Sequence, residues 1–162
     1  MPIRYILAPW VPTPPEIVDR MLQMAGVGVD DVVYDLGCGD GRLCIAAARL
    51  GARAVGIDIE PYWAEQSQAN AAAAGVEELT TFEVGDACDI DISDATVVTL
   101  YLVHFSMQVI AREVLTKARP GTRIVSHSFP IEGWEPADFE EITDSEGTCH
   151  KVYLWKVNSG DQ

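Results

Sequence analysis

Acidic side chains follow three short apolar or β-branched stretches of this chain, and a glycine-rich loop follows the first of them. The stretch that ends at Asp35 leads into residues 37–41, where glycines occupy alternate positions. Two later stretches lead to Asp58 and Asp86. Because glycine has no Cβ, such a loop can turn sharply and let its backbone approach a bound group. The helix that follows directs its free N–H groups toward the same place, so the pattern predicts a nucleotide-like cofactor at a sheet edge.

The charge beside the glycine loop distinguishes between possible cofactors. A dinucleotide-binding loop has the spacing Gly-x-Gly-x-x-Gly, whereas this loop reads Gly-x-Gly-x-Gly, with Asp35 before it and Asp40 within it. These acids would repel a pyrophosphate. They suit a cofactor with a positive end, such as the ammonium and sulfonium groups of S-adenosylmethionine. A nicotinamide cofactor and a tight turn without a ligand are the alternatives.

The two later acids suit the adenosine part of the same cofactor. Asp58 lies 19 residues beyond Gly39, where an acid can accept hydrogen bonds from both ribose hydroxyls; a solvated acid at a strand end is the alternative. Asp86 can accept a hydrogen bond from the adenine amine, while the N–H of Ala87 bonds a ring nitrogen. The residues predicted to bind the cofactor are Thr13, Asp35, Gly37, Cys38, Gly39, Asp58, Ile59, Asp86, Ala87 and Leu100.

Hydrophobic periodicity divides the chain into alternating helices and strands. Thr13 and Glu16 predict a capping box at the start of a first helix, which ends at Gly26. Strands are predicted at about 32–36, 54–58, 80–84, 95–102 and 123–127, and helices at 41–50, 61–74 and 105–117. Two final strands, 139–144 and 148–157, predict a hairpin. We therefore expect an α/β, Rossmann-like fold in which a mostly parallel sheet is closed by a C-terminal antiparallel hairpin.

Length and composition fit one domain with one sizeable core. The chain has 162 residues, of which 48% are hydrophobic. Residues 1–12 are rich in proline, which favours an extended arm that either packs on the domain or forms a lid over the site. Residues 13–157 form the predicted domain, and residues 158–162 a loose tail.

The chain carries a net charge of −14, from 25 acidic and 11 basic residues. This balance argues against a nucleic-acid partner, which needs a basic face, and favours a basic partner; an acidic surface that serves solubility is the alternative. The 4 cysteines form no Cys-x-x-Cys pair and are expected to be free thiols. Three scattered histidines predict no metal site. No run is long enough to span a membrane, and no signal-peptide core is present, so we expect a cytoplasmic protein.

Several segments carry a resemblance to a known family: 11–14, 32–42, 94–99 and 120–130, with Trp134 and 150–154 extending it. They resemble class I S-adenosylmethionine-dependent methyltransferases. More narrowly, they resemble small archaeal and bacterial protein-lysine methyltransferases and the mitochondrial ATP-synthase c-subunit lysine methyltransferases. The resemblance implies that S-adenosylmethionine is converted to S-adenosylhomocysteine and that an amine, with protein lysine favoured, receives the methyl group.

The residues after the fourth predicted strand are candidates for the substrate side. Tyr101 is predicted to orient the amine, and His104 or water to take its proton. Trp10 and Tyr101 are predicted to contact the substrate, because an aromatic channel lowers the pKa of a lysine amine. Tyr101 as a core residue and His104 as a helix-start residue are the alternatives. His127 is expected to be structural, and its place near the carboxyl edge of the sheet leaves a role as a base as the alternative.

Two other functions stay open from the sequence. One is a small-molecule O- or N-methyltransferase that acts on an amine or hydroxyl metabolite. The other is a regulator that binds the cofactor without catalysis.

Overall fold

The computed structural model describes residues 11–158. Residues 1–10, which include Trp10 and most of the predicted arm, and residues 159–162 of the predicted tail lie outside the described residues. Within the described range, no helix is both long and apolar enough to cross a membrane.

Helices and strands alternate along most of the described chain; the exceptions are the third and fourth strands, which only a 3-10 turn separates, and the last two strands. The helices are α1 (Pro15–Ala25), α2 (Arg42–Arg49), α3 (Pro61–Ala73) and α4 (His104–Glu113). The strands are β1 (Val32–Leu36), β2 (Arg53–Asp58), β3 (Thr80–Val84), β4 (Val97–Leu100), β5 (Arg123–His127), β6 (Asp138–Thr143) and β7 (Cys149–Lys156). Short 3-10 turns lie at Glu77–Leu79, Ala87–Asp89 and Leu115–Lys117.

All strands join one sheet in the order β3-β2-β1-β4-β5-β7-β6. Strands β1 to β5 pair in parallel, whereas β7 is antiparallel to both β5 and β6. The predicted fold class, a mostly parallel sheet closed by an antiparallel hairpin, is confirmed. The strand order reverses between β1 and β4, and ligands of such sheets bind in the crevice beyond the carboxyl ends at this point.

Helices cover both faces of the sheet and bury apolar side chains against it. On one face, α1 contributes Ile17 and Met21 to a cluster shared with α2 and α3. On the other face, α4 contributes Met107 to a second cluster. Neighbouring residues of β4 alternate between the two, since Val97 belongs to the first and Val98 to the second. All of β4 is buried, as expected for a central parallel strand.

Two predicted elements are shorter in the structure. The fourth strand was expected at 95–102, but β4 covers Val97–Leu100. It ends where Leu100 pairs with Leu36, the last residue of β1; on the other side of β4, strand β5 continues one residue further, to His127. The helix expected at 105–117 ends at Glu113, because Val114 leaves helical geometry with a φ of −123°.

The predicted capping box at the start of α1 is wrong. The N-cap is Pro14, without a side-chain hydrogen bond, and the hydroxyl of Thr13 lies 3.1 Å from Nδ1 of His127. The carboxylate of Glu16 accepts a hydrogen bond from the backbone N–H of Ser145 at 2.8 Å. A side-chain cap at Thr13 would lack one of its usual hydrogen bonds, because Pro15 has no backbone N–H group to donate to the Thr13 hydroxyl.

Candidate active site

A cavity of about 300 Å³ opens at the carboxyl edge of the sheet, beyond the ends of β1, β2 and β3. Its volume is at the lower end of the range of small-molecule sites. Its walls come from the segment before α1, the glycine loop, the loops after β2, β3 and β4, and the first turn of α3. The lining residues are Val11, Pro12, Thr13, Asp35, Gly37, Cys38, Asp40, Arg42, Leu43, Ile57, Asp58, Ile59, Glu60, Trp63, Gly85, Asp86, Ala87, Tyr101 and Leu102.

Most residues predicted from the sequence to bind a cofactor meet in this cavity. Those among its lining are Thr13, Asp35, Gly37, Cys38, Asp58, Ile59, Asp86 and Ala87. Gly39 and Leu100 are not among them. The N–H of Gly39 donates to a carboxylate oxygen of Asp58 at 3.0 Å, and the side chain of Leu100 is fully buried in the core.

The two substrate-side candidates differ in position. Tyr101 lines the cavity. His104 does not; it begins α4, its side chain is 53% exposed, and its Nε2 lies 2.9 Å from a carboxylate oxygen of Glu132. Trp10 lies outside the described residues. The geometry thus brings Tyr101 to the site and leaves His104 at its periphery.

Asp35 is the most deeply buried carboxyl group of the cavity. Only 3% of the residue is exposed, and among residues 11–158 its hydrogen-bond donor is the hydroxyl of Thr99, at 2.8 Å. Burial, assisted by the negative charges of Asp58 and Asp40 and opposed by the Thr99 hydrogen bond, raises the pKa of Asp35 to about 7. A cation bound beside this carboxyl group would favour its ionised form. The site therefore fits a positively charged ligand.

Asp40, the acid within the glycine loop, forms an ion pair with Arg42. The guanidinium of Arg42 donates to Asp40 through Nε at 3.0 Å and through Nη2 at 2.7 Å. The same side chain donates through Nη1 to the carbonyl oxygen of Thr13 at 2.9 Å. The sequence predicted two acids beside the loop, Asp35 and Asp40, but not the pairing of Asp40 with Arg42. Of the two neighbouring charges that raise the pKa of Asp35, that of Asp58 has the larger effect and that of Asp40 the smaller.

The glycine loop is held against α3. A Cβ on Gly41, which has a φ of +84°, would lie 2.9 Å from Oγ of Ser67 and 3.2 Å from the ring of Phe82. The Ser67 hydroxyl donates to the carbonyl oxygen of Gly39 at 2.7 Å, and the Asn70 side chain donates to that of Asp40 at 3.0 Å. The third glycine of the motif therefore serves helix packing as well as chain reversal.

Cys38 is not a reactive thiol in this cavity. Burial, together with the negative charges of Asp35 and Asp58, raises its pKa far above the usual value. Since the thiolate is the nucleophilic form of cysteine, we assign Cys38 a packing role in the loop. Within residues 11–158, no group of three His, Cys, Asp or Glu side chains is placed to hold a metal ion.

A line of polar side chains joins the cavity to the hairpin, and it was not predicted from the sequence. The hydroxyl of Thr13 lies 3.1 Å from Nδ1 of His127, and Nε2 of His127 lies 2.8 Å from Nδ1 of His150. Nε2 of His150 lies 2.7 Å from a carboxylate oxygen of Asp144. The ring of Tyr101 packs on that of His127 with centroids 4.0 Å apart. These contacts depend on the pairing of β5 with β7, which no local sequence signal specifies.

The strand order, the glycine loop after β1 and the acids that end β1 and β2 define the class of S-adenosylmethionine-dependent methyltransferases. The comparisons with known proteins agree. The chain matches the family described as ANTKMT methyltransferase domain over residues 35–138. It belongs to this family.

Two curated relatives and one solved structure illustrate the similarity. A protein-lysine N-methyltransferase of Saccharolobus islandicus (strain REY15A) is 40% identical over 151 residues, which cover 92% of this chain and 93% of the relative. An ATP synthase c-subunit lysine N-methyltransferase of Xenopus laevis is 31% identical over 134 residues, or 83% of this chain and 59% of the relative.

The solved structure is a crystal structure described as an RNA methyltransferase from Salinibacter ruber in complex with S-adenosyl-L-homocysteine. It is 46% identical, has a TM-score of 0.84, and the match covers 92% of this chain and 95% of that one. The cofactor of this chain is S-adenosylmethionine, as the sequence predicted.

Proposed function

We propose that this methyltransferase acts on the side-chain amine of lysine in proteins. The observation that carries the proposal is the 40% identity with a protein-lysine N-methyltransferase across 92% of this chain and 93% of the relative. The acidic character of the chain supports it, because a net charge of −14 attracts substrates rich in lysine.

The cofactor is assigned to the acids of the cavity. Asp35 holds the positively charged methionine end, because its buried carboxyl group gains most from a nearby cation. Asp58 accepts from the ribose hydroxyls, while Asp86 and Ala87 bind the adenine; Gly37, Cys38 and Ile59 form the walls around it. When bound, S-adenosylmethionine supplies a methyl group activated by the positive sulfur.

On the substrate side, the protein positions the amine and excludes water from it. Tyr101 and Leu102 form the wall at the end of β4, and an apolar, aromatic surrounding favours the neutral form of an amine whose ordinary pKa is about 10.4. Tyr101 orients this amine. His104, predicted to take the proton, is paired with Glu132, so this role needs a movement of the side chain toward the cavity.

A second candidate substrate is RNA, because the Salinibacter structure at 46% identity is described as an RNA methyltransferase. The charge of this chain opposes that function. With 11 basic against 25 acidic residues, there are few side chains to neutralise phosphates, which supply most of the affinity for a nucleic acid. A small amine metabolite is a third candidate, since its methylation would use the same cofactor site.

The proposal is tested by incubating a cell lysate with the enzyme and S-adenosylmethionine labelled in the methyl group. Protein, RNA and small-molecule fractions are then separated, and the protein fraction is analysed for methyl-lysine. We expect label in protein as methyl-lysine, and none with the Asp58→Ala variant, which loses the ribose contact. Label confined to RNA or to small molecules would overturn the proposal. Tight cofactor binding without label in any fraction would instead indicate a regulator.

A further inference from the structure

The hydrogen-bonded line from Thr13 through His127 and His150 to Asp144 has one end in the cavity and the other at the hairpin. Thr13 lines the cavity and is 4% exposed. His127 is completely buried, whereas the side chain of His150 retains 13% exposure. A continuous set of three hydrogen bonds, each 3.1 Å or shorter, therefore connects a ligand site with a residue that water can reach.

The chemistry of the end groups gives these hydrogen bonds a direction. The hydrogen bond from His150 and backbone N–H groups of Thr148 and Glu146 lower the pKa of Asp144, so its carboxylate accepts and Nε2 of His150 donates. With its proton on Nε2, His150 accepts at Nδ1, and Nε2 of His127 donates to it. Nδ1 of His127 accepts in turn, so the Thr13 hydroxyl donates its only proton away from the cavity. The Thr13 oxygen consequently offers lone pairs, and no donor, to a ligand.

The local backbone and packing hold this line in place. Ser128, directly after His127, has a φ of +78° and is the only described non-glycine residue with a positive φ. Such strain persists where the surrounding structure fixes it, often at functional sites. Tyr101 packs on the His127 ring, and Arg42 holds the Thr13 carbonyl oxygen. Tyr101 and Arg42, which both belong to the cavity wall, thus contact this hydrogen-bonded line from two sides.

We propose that Thr13 accepts a proton from the amine that is to be methylated and that His127, His150 and Asp144 carry the charge to the hairpin surface. This role rests on the proposed function, because it requires an amine nucleophile that begins as an ammonium ion. Thr13 is the catalytic residue of the relay, and the other three are positioning residues that act through it.

The proton transfers balance along the line. An N–H bond of the ammonium breaks and an O–H bond forms at Thr13, whose former proton moves to Nδ1 of His127. The proton on Nε2 of His127 moves to Nδ1 of His150. The amine is left with a lone pair for the methyl carbon, and His150 becomes an imidazolium beside the Asp144 carboxylate. Water at the hairpin then removes one proton from His150.

The charges around these side chains favour movement of the proton away from His127. Burial, and secondarily the charge of His150, lowers the pKa of His127 to about 4, so this ring is neutral near pH 7 and keeps a lone pair for Thr13. The aromatic ring of Tyr101 faces it from the end of β4. The carboxylate paired with His150 is that of Asp144, whose charge also interacts with that of Glu16 on α1. A positive charge is therefore disfavoured on His127, whereas on His150 it would lie beside the Asp144 carboxylate.

The first test compares Thr13→Val, which keeps the shape and removes the hydroxyl, with Thr13→Ser, which keeps the hydroxyl. Turnover of a lysine-containing protein is measured from pH 7 to 10 at saturating cofactor. We expect Thr13→Val to lose about 100-fold in kcat at pH 7 and Thr13→Ser to stay close to the parent enzyme. The deficit of Thr13→Val should shrink as the pH rises, because the neutral amine becomes about tenfold more abundant per pH unit. A deficit that is absent, or equal at every pH, would overturn the proposal.

The second test uses a site distant from the cofactor. His150→Gln should show a smaller deficit with the same dependence on pH, whereas Lys151→Gln, an exposed neighbour on β7, should match the parent enzyme. Nitrogen-15 NMR of the ligand-free protein reads the ring protons independently of activity. We expect both His127 and His150 to carry their proton on Nε2 near pH 7.5. A proton on Nδ1 of His127 would contradict the direction of the relay.

The outcomes separate this proposal from the proposed function. If the parent enzyme forms no methyl-lysine, the lysine function is wrong and the relay loses its substrate. If it forms methyl-lysine while Thr13→Val and His150→Gln retain its kcat and pH profile, the relay alone is wrong.

Discussion

The carboxyl group of Asp35 is buried and paired with an uncharged hydrogen-bond donor. Its carboxyl group is almost completely buried, and its hydrogen-bond donor within the described part of the chain is a neutral hydroxyl, that of Thr99. Burial raises its pKa to about 7, so a substantial part of the ligand-free protein carries a protonated Asp35 at neutral pH. A cationic ligand interacts with the ionised form, and binding therefore competes with the proton.

We predict that the affinity for S-adenosylmethionine rises with pH. Below the pKa of about 7, Asp35 is protonated in the free protein, and each added pH unit should strengthen binding up to tenfold. Above it, the carboxylate is already formed and the affinity should level off. Calorimetry between pH 5 and 8.5 measures this dependence and the accompanying release of a proton.

Matched variants identify the group responsible. Asp35→Asn should bind weakly with little dependence on pH, whereas Asp58→Asn should bind weakly but keep the same pH slope. An affinity that is constant across this range in the parent protein would show that Asp35 does not contact the cationic end.

At the scale of elements, the glycine loop depends on its contact with α3. Gly41 and Gly75 both have a positive φ, of +84° and +75°, but only at Gly41 would a Cβ meet other atoms within 4 Å. The nearest of these, Oγ of Ser67 at 2.9 Å, belongs to a completely buried side chain that binds the loop. A change at Gly41 therefore disturbs helix packing as well as backbone geometry.

We predict that Gly41→Ala destabilises the protein more than Gly75→Ala. In both variants, a side chain placed at positive φ should lower the free energy of unfolding by about 1 kcal/mol or more. In Gly41→Ala, overpacking should lower it by about 1–3 kcal/mol more. Thermal or urea unfolding measures the difference. Gly41→Ala should also weaken cofactor binding, while Gly75→Ala should not. Equal free energies of unfolding for the two variants would contradict the packing role of Gly41.

Local signals were sufficient for much of the fold and part of the site. Glycines, strand-end acids and apolar runs are properties of neighbouring residues, so the strands near Asp35 and Asp58 could be predicted from the sequence. The line from Thr13 to Asp144 could not. Thr13 was interpreted as a cap because its partner, His127, lies 114 residues away. The register that sets His127 opposite Val152 depends on tertiary packing.

At the scale of the whole molecule, the net charge of −14 influences which substrates approach. An acidic surface raises the encounter rate with a lysine-rich protein and opposes the approach of an RNA. The cofactor cavity is affected less by salt, because buried charges are poorly screened.

We predict that kcat/KM for a lysine-rich protein falls as the salt concentration rises, because the Debye length shortens from about 10 Å at 0.1 M to about 3 Å at 1 M. The Kd for S-adenosylmethionine should change much less over the same range. Steady-state kinetics and calorimetry at several salt concentrations measure the two quantities. A kcat/KM that stays constant or rises with salt would show that the acidic surface serves solubility and not substrate attraction.

The most direct measurement of the central claim is mass spectrometry of a lysine-rich protein treated with the enzyme and S-adenosylmethionine that carries a deuterated methyl group. We predict deuterated methyl groups on lysine side-chain nitrogens, and none when Asp58→Ala replaces the parent enzyme. Label on other side chains, or an unlabelled protein in a reaction that methylates added RNA or small amines, would contradict it.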